Sequence, residues 1–153
     1  MALDSKGFEA LLDKNQALQL DYGQFLISFL KRVGMRALAQ TVQLTPVDTG
    51  NLKINWKLSD VFVEGKTLSI VMYNQVEYAS FIEDGHAQHR RWVPGTWVGG
   101  RFVYDPKAET GMMLKEKFIP GYHMAKISID KVLLEMPARY LREFEAYVRR
   151  VEK

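Results

Sequence analysis

The order of elements in this chain is decided by the stretch Thr45-Pro46-Val47-Asp48-Thr49-Gly50-Asn51-Leu52, which separates a long helical pattern from a pair of strand patterns. Thr45 precedes a proline, whose ring disfavours helical conformation in the residue before it, so the first helix should end here. Asp48 can accept hydrogen bonds from the amides of Gly50 and Asn51 and thereby cap a new short helix. The stretch is therefore predicted to form a corner.

Composition sets the outer limits of what this chain can be. Its 153 residues are 47% hydrophobic and 12% aromatic, which suits one domain over residues 1–153 with its own core. Apolar runs stay well short of the roughly 20 residues that a membrane helix needs, so we expect no membrane association. The absence of cysteine leaves no disulfide framework and no thiolate zinc site. A net charge of +3 is too small to require nucleic acid or an anionic membrane as a partner.

Two long segments have the apolar spacing of three and four residues that is typical of helices. The first runs from about Gly7 to Leu44, and the second from Ile127 to Val151. Glycine inside a helix costs about 1 kcal/mol relative to alanine, so we expect a break near residues 15–22, giving a short helix and then a longer one. Pro137 should kink or restart the second helix.

The middle of the chain changes period. Residues 57–73 alternate around a turn at residues 64–66, which predicts an antiparallel hairpin, and residues 77–84 return to helical spacing up to Gly85. Residues 85–101 lack any period and predict an extended loop, followed by a strand at residues 101–104 and a weak helical stretch at residues 106–118. The fold class is therefore α+β, with a small antiparallel sheet of a hairpin plus one or two strands packed against the two long helices.

Two groups of residues could carry chemistry. Asp48-Thr49-Gly50 is the triplet of aspartic proteases, although the protease aspartate follows a buried strand and this one follows a helix and a proline. Glu83, Asp84, His86 and His89 have the chemistry of metal ligands, but their spacing matches no metal signature. The neighbouring Arg90 and Arg91 would oppose a divalent cation. We therefore favour a structural corner and a polar loop, with a small protease-like or metal-dependent enzyme as the alternative.

The predicted loop is also rich in residue types that make contacts with other molecules. It carries Arg90, Arg91, Arg101, Trp92 and Trp97, a pattern that could hold phosphate and stack bases. Arginine and tryptophan are equally the residues enriched at protein interface hot spots. We favour contact with protein, and a nucleic-acid-binding module is the second alternative.

Three pieces in order resemble a known family: residues 45–52, the hairpin, and Tyr78-Ala79-Ser80-Phe81-Ile82-Glu83-Asp84-Gly85-His86. They are similar to the small head-to-tail joining family of tailed bacteriophages, also called tail-completion, tail-terminator or neck proteins. That family carries a P-V-D-T-G-x-L corner and a Y-A-x-x-(V/I)-E-x-G segment. Residues 118–124 and the closing helix look like the variant found in phages and phage-like particles of Gram-positive bacteria. The resemblance covers the chain from about Phe25 onward.

The resemblance implies a structural role without catalytic residues, cofactors or metals. Six copies would form a ring at the head-proximal end of a tail tube, stop tube growth and receive the neck or head, or cap a headless tail particle. Its partners would be its own copies, the tail tube protein, neck, head-completion or sheath proteins, and DNA passing through the lumen. The protein would be part of a virion or tail-like particle assembled in the bacterial cytoplasm.

The resemblance also assigns roles to residues. The motif residues would hold the corner and short helix in place: Thr45, Pro46, Asp48, Thr49, Gly50, Leu52, Tyr78, Ala79, Glu83 and Gly85. The longer loop of this chain, residues 86–100, departs from the usual pattern and leaves open which neighbour the ring meets. Candidate interface residues are His86, Arg90, Arg91, Trp92, Trp97 and Arg101.

Overall fold

The computed structural model describes residues 5–152, and the side chains of residues 13–152. It confirms the α+β class: two long helices are combined with small antiparallel sheets. The chain divides into two compact units. Within the described residues, the first unit comprises 5–76 and 124–152, and the second unit comprises Glu77–His123. A single domain over residues 1–153 stays a prediction.

The elements follow one another in the order α1 (Ser5–Leu44), α2 (Asn51–Ile54), β1 (Trp56–Leu58), β2 (Phe62–Glu64), β3 (Thr67–Ser69), β4 (Met72–Asn74), α3 (Ala79–Asp84), β5 (Gly85–Gln88), β6 (Arg91–Val98), β7 (Arg101–Tyr104), β8 (Gly111–Leu114), β9 (Lys117–Pro120) and α4 (Met124–Val151). None of the helices within residues 5–152 combines the length and the apolar character that a membrane crossing requires.

Both long helices are continuous, so the predicted break in α1 is wrong and α4 does not restart, while a kink at Pro137 stays a prediction. α1 runs through residues 15–22 without the predicted break, and α4 runs through Pro137 without a restart. Further along α1, a glycine is tolerated at position 34 because a Cβ there would lie 3.0 Å from side-chain atoms of Leu58 and Ile70. The close approach of helix and sheet offsets the intrinsic cost of about 1 kcal/mol that the sequence pattern alone assigns to glycine.

The core of the first unit lies between α1 and α4. Phe29, Val33 and Ala37 of α1 are buried with Val132 of α4, and Met136 and Tyr140 pack against them. Tyr140 contacts Phe29 edge-on, with ring centroids 5.4 Å apart. These pairs extend through an aromatic zipper composed of Tyr22, Phe25, Phe29, Tyr140, Phe144 and Tyr147. The zipper fixes α4 antiparallel to α1, and packing of this apolar face supplies most of the stability of both helices.

Polar contacts flank the zipper. The hydroxyls of Tyr22 and Tyr140 are 2.8 Å apart, and this hydrogen bond, followed by partial burial, raises the pKa of Tyr140 to about 12. The carboxylate of Glu143 accepts hydrogen bonds from Arg139 at 2.8 Å and from Arg32 at 2.5 Å. Partial burial alone would raise the pKa of Glu143, but the two arginines outweigh it and lower the pKa below its usual value.

A two-stranded ribbon, residues 56–74, completes the first unit and confirms the predicted hairpin. β1 pairs with β4, β2 pairs with β3, and both pairings are antiparallel. Between them the amide of Ser59 donates to the carbonyl of Val71 at 2.8 Å. Gly65 has φ +59° at the turn, a conformation that glycine adopts at little cost. The ribbon contacts α1 through β1 and β3.

The second unit holds more strands than the sequence pattern predicts. Residues 85–101, expected as a loop, contain β5 and β6, and residues 106–118, expected as weakly helical, contain β8 and the start of β9. The strand at residues 101–104 is confirmed as β7. β5 pairs with β9, and β6 pairs with both β7 and β8. A two-residue period arises where one face of a sheet is buried, and β6 has apolar residues on both faces, so its pattern reads as irregular.

Candidate interaction surface

The inner side of the corner is a hydrogen-bonded joint. Thr45 is buried, and its Oγ1 donates to the carbonyl of Thr41 at 2.7 Å while accepting a hydrogen bond from Nε1 of Trp56 at 2.9 Å. One hydroxyl therefore ties the end of α1 to the start of β1. Leu52 is buried and Pro46 half-buried on the same stretch. The structure thus gives Thr45 and Leu52 packing roles.

The outer side of the corner corrects the predicted role of Asp48. Its side chain is exposed and, within residues 13–152, has no hydrogen-bond partner. α2 begins after Gly50 instead, whose φ is +83°, and no side-chain hydrogen bond caps it. The amide of Asn51 donates to Oγ1 of Thr49 at 3.4 Å, a long contact. The exposed Asp48 follows a helix, so the setting that an aspartic protease requires is missing at this position.

Gly85 and Glu83, two of the motif residues in the second unit, have roles in the packing of the backbone. Gly85 ends α3 with φ +82°, as predicted, and a Cβ there would overlap the carbonyl oxygen of Ile119 and come within 2.7 Å of the amide of Gly121. The carbonyl of Glu83 accepts a hydrogen bond from the amide of His123 at 3.0 Å. Ala79 is buried and Tyr78 is 42% exposed. Glycine at position 85 is therefore required by both conformation and space.

The predicted metal-ligand residues do not converge. Among residues 5–152, no three histidine, aspartate or glutamate side chains form a group that could hold a metal ion. His86 lies in β5 opposite Ile119, with its ring edge-on to Phe81 at 5.6 Å. Its Nδ1 is buried and has no hydrogen-bond partner among the described residues. His89 is exposed between β5 and β6.

Four of the six candidate interface residues lie in one structure, the arm, which we define as residues 91–114: Arg91, Trp92, Trp97 and Arg101. Its central strand β6 pairs with β8 through its first half and with β7 through its second half. The change of partner occurs at Gly95, whose carbonyl accepts a hydrogen bond from Thr110 Oγ1 at 2.9 Å and whose amide donates to the carbonyl of Thr110 at 2.9 Å. A Cβ at Gly95 would overlap the carbonyl of Val103.

The two tryptophans of the arm lie on opposite faces, because side chains alternate along β6. Trp92 is 53% exposed and packs over Gly111, where a Cβ would lie 2.7 Å from its ring. Trp97 is 64% exposed and contacts Phe102 edge-on at 5.5 Å. The arm therefore presents an aromatic side chain on each face.

The arginines around the arm lie at its exposed positions. Arg90, Arg91 and Arg101 are all exposed, and within the part of the chain with described side chains none of them has an ion-pair partner. None stacks on a tryptophan there either, which is the arrangement that a base-binding surface would use. The predicted arginine and tryptophan residues thus lie close together in the sequence of strands, but they do not form a surface on which bases could stack.

Further exposed aromatic residues of the second unit escaped the sequence analysis. Tyr104 is 63%, Phe118 is 64% and Tyr122 is 58% exposed. One feature of the sequence could have indicated them, namely the large apolar residues at consecutive positions, as in Phe102, Val103 and Tyr104. Adjacent residues on a strand point to opposite faces, so such a run predicts a strand covered on both sides by a partner.

Comparison with known proteins identifies the family. Residues 9–85 match the HK97-gp10_like family, whose description reads "Bacteriophage HK97-gp10, putative tail-component". The chain belongs to this family. The match contains the corner and α3, and the arm follows it in sequence. The resemblance to phage tail proteins is therefore confirmed.

Two proteins of Bacillus subtilis (strain 168) are similar to this HK97-gp10-like chain. The phage-like element PBSX protein XkdI is 53% identical over 62 residues, which make up 39% of this chain and 38% of XkdI. The uncharacterized protein YqbI is 36% identical over 95 residues, which make up 54% of this chain and 56% of YqbI. The matches thus span less than two thirds of either relative. No solved structure matches.

Proposed function

We propose that this HK97-gp10-like protein assembles into a closed ring of six copies at the head-proximal end of a phage tail. The ring terminates the tail tube and joins it to the neck or head, or caps a headless tail-like particle. The family match over residues 9–85 is the observation that carries this proposal. Similarity to a protein of the phage-like element PBSX supports it.

The sheets of the described chain give a physical reason for assembly. Each has two or three strands, so most strands leave one edge without a backbone partner among residues 5–152. Small sheets with open edges are marginal in isolation and tend to pair with other chains. In a ring, each copy offers two different patches, and closure covers every such edge without leaving a free end.

The candidate residues divide into two roles under this proposal. Thr45, Leu52, Ala79 and Gly85 maintain the fold, as do the remaining motif residues with packed side chains. Six residues of the second unit make the contacts between subunits: the half-buried His86 and the exposed Arg90, Arg91, Trp92, Trp97 and Arg101. The tail tube protein, neck, head-completion or sheath proteins would bind the completed ring, and DNA would pass through its lumen.

The proposed role requires no enzymatic step. The family is described as a tail component, and Asp48 lacks the buried, hydrogen-bonded setting of a catalytic aspartate. We place the protein in a virion or phage tail-like particle, assembled in the cytoplasm of the bacterial host.

Native mass spectrometry of the purified full chain tests the proposal. We expect a species of six subunits, whose fraction rises with protein concentration. A matched variant, Leu134→Ala, alters an 84% exposed residue of α4 outside the proposed contacts and should leave this distribution unchanged. A chain that is monomeric both alone and with tail tube protein would overturn the proposal.

A further inference from the structure

The base of the arm brings three basic side chains together. We call this base the stem: it consists of β5, β9 and the two residues that join each of these strands to the arm. β5 and β9 pair as far as Gln88 opposite Lys117, and β6 and β8 resume the pairing two residues further along each strand. The register is therefore unchanged across the gap, and Arg90 lies opposite Lys115. Gln88 Nε2 donates a hydrogen bond to the carbonyl of Lys115 at 2.7 Å, which holds the two strands together at this point.

The three basic side chains lie on one face of the stem, because side chains alternate along each strand. Arg90, Lys115 and Lys117 are exposed, and none of them has an ion-pair partner among the side chains that the structure describes. Glu116 lies between the two lysines in sequence, and alternation places it on the opposite face, across from His89. The second unit has as many acidic as basic residues, so its positive charge is concentrated here by the alternation of the strands and not by composition.

This arrangement of charges is unfavourable without a bound anion. Arg90 and Lys115 face each other across the two strands, and like charges at facing positions destabilise an antiparallel pair. Lys117 adds a third positive charge two residues from Lys115 on the same face. An anion bound across the three side chains would remove the repulsion. The stem therefore has the electrostatic character of a surface that binds a polyanion.

We infer, resting on the ring proposed above, that these three basic residues of the stem contact the phosphate backbone of the DNA that passes through the ring. Most hydrogen bonds between proteins and DNA go to phosphate and sugar, and arginine and lysine are prominent among the donors. A two-stranded antiparallel ribbon is also one of the elements that the major groove of B-DNA admits. Contacts to phosphate carry no sequence information, so the stem would hold DNA of any sequence.

The types of residue favour DNA over a protein surface as the partner. Lysine is depleted in interfaces between proteins, whereas arginine and tryptophan are enriched there. Two of the three basic residues of the stem are lysines, and the stem contains no tryptophan. The arm, which carries Trp92 and Trp97, keeps the contacts between subunits. Arg90 is thereby reassigned from those contacts to the DNA.

Salt-dependent binding of DNA by the assembled full chain tests this inference. The probe is a short, fluorescently labelled DNA duplex of random sequence. The stem variant combines Arg90→Gln, Lys115→Gln and Lys117→Gln. The control variant replaces three exposed lysines of the first unit by glutamine and so has the same net charge: Lys31→Gln, Lys66→Gln and Lys131→Gln. Fluorescence anisotropy at increasing salt concentrations gives the affinity and its dependence on salt.

We expect the natural protein and the control variant to bind the duplex with an affinity that falls steeply as salt is added. Each phosphate contact contributes about 0.9 to the slope of log affinity against log salt concentration. The stem variant should therefore lose roughly 2.7 from this slope and bind about tenfold or more weakly at about 50 mM salt. A variant that keeps the charge, Lys115→Arg with Lys117→Arg, should bind like the natural protein. Circular dichroism reports whether each variant is folded.

The outcomes separate this inference from the proposed function. Six-subunit rings that do not bind the duplex, or an unchanged slope in the stem variant, would overturn the inference and leave the ring intact. An equal loss in the control variant would also overturn it, because net charge alone would then explain the binding. Displacement of the duplex by poly-glutamate at equal charge concentration would indicate an acidic protein as the partner, and a folded stem variant that forms no rings would return the three residues to the contacts between subunits. Either result would contradict the inference, whereas a natural chain that stays monomeric in native mass spectra would refute the ring itself.

Discussion

Trp56 donates a hydrogen bond from Nε1 to Oγ1 of Thr45 at 2.9 Å, and this bond joins the end of α1 to the start of the ribbon across the corner. The Thr45 hydroxyl is buried and in turn donates to the carbonyl of Thr41. Thr45, the first residue of the corner motif, therefore fixes the corner through the two hydrogen bonds of its side chain. Its aspartate makes no internal hydrogen bond to a described residue and remains available to a partner.

Thr45→Val should destabilise the folded protein by about 1–3 kcal/mol, because it leaves the indole N–H of Trp56 without a partner in a partly buried site. Asp48→Ala is the matched variant, and its melting temperature should stay within about 1 °C of the natural protein. Thermal unfolding followed by circular dichroism measures both. A large loss of stability in Asp48→Ala alone would show that the aspartate caps α2 after all.

Gly85→Ala should destabilise the second unit by about 1–3 kcal/mol, since φ is +82° and the added Cβ overlaps the carbonyl of Ile119. Gly23→Ala in α1 is the matched control. Apart from its chain neighbours and the nearby backbone of α1 itself, no described atom lies within 4 Å of a Cβ at that position, so the substitution should stabilise α1 by about 0.5–1 kcal/mol. Chemical denaturation of both variants gives the two free energies. Equal effects at the two glycines would contradict the structure.

Stability should fall below about pH 4 through Glu143. Its carboxyl has a lowered pKa in the folded protein, so its contribution is fully present above the unfolded value of about 4.3 and is lost as pH falls through the folded pKa. Glu143→Gln should cost roughly 1 kcal/mol at pH 7 and flatten this part of the profile. Melting temperatures between pH 7 and pH 3 measure the difference. Parallel profiles for the two proteins would contradict the role given to Arg32 and Arg139.

Trp92→Ala and Arg91→Ala should weaken assembly while the monomer stays folded. Both side chains are exposed on the arm, and hot-spot truncations of these residue types cost about 2 kcal/mol or more in binding. Analytical ultracentrifugation gives the assembled fraction, and circular dichroism reports the fold. Unchanged assembly in both variants would remove this part of the arm from the interface.

The sequence predicted those elements whose residues bury one face within the chain. α1, the ribbon, α3 and α4 all show their period because a single side of each packs inward, and the family motif lies in these parts. The absence of a break in α1 near residues 15–22 was not predictable, because Tyr22 at that place packs against Phe144 and Tyr147, which are distant in sequence.

The second unit was harder to predict for a related reason. β6 carries Trp92 and Trp97 on opposite faces and changes its partner at Gly95, so neither periodicity nor the flanking glycines reveals a strand. The candidate interface residues were identified by type, but their arrangement was not. Arginines and tryptophans next to one another in sequence were separated by strand alternation.

Class averages from negative-stain electron microscopy of the purified full chain test the central claim most directly. We predict annular particles with sixfold rotational symmetry and a central opening, as a ring with covered strand edges requires. Micrographs that show only single small particles, at concentrations well above those of the native mass spectra, would contradict the claim. So would an enzymatic activity that the Asp48→Ala substitution abolishes.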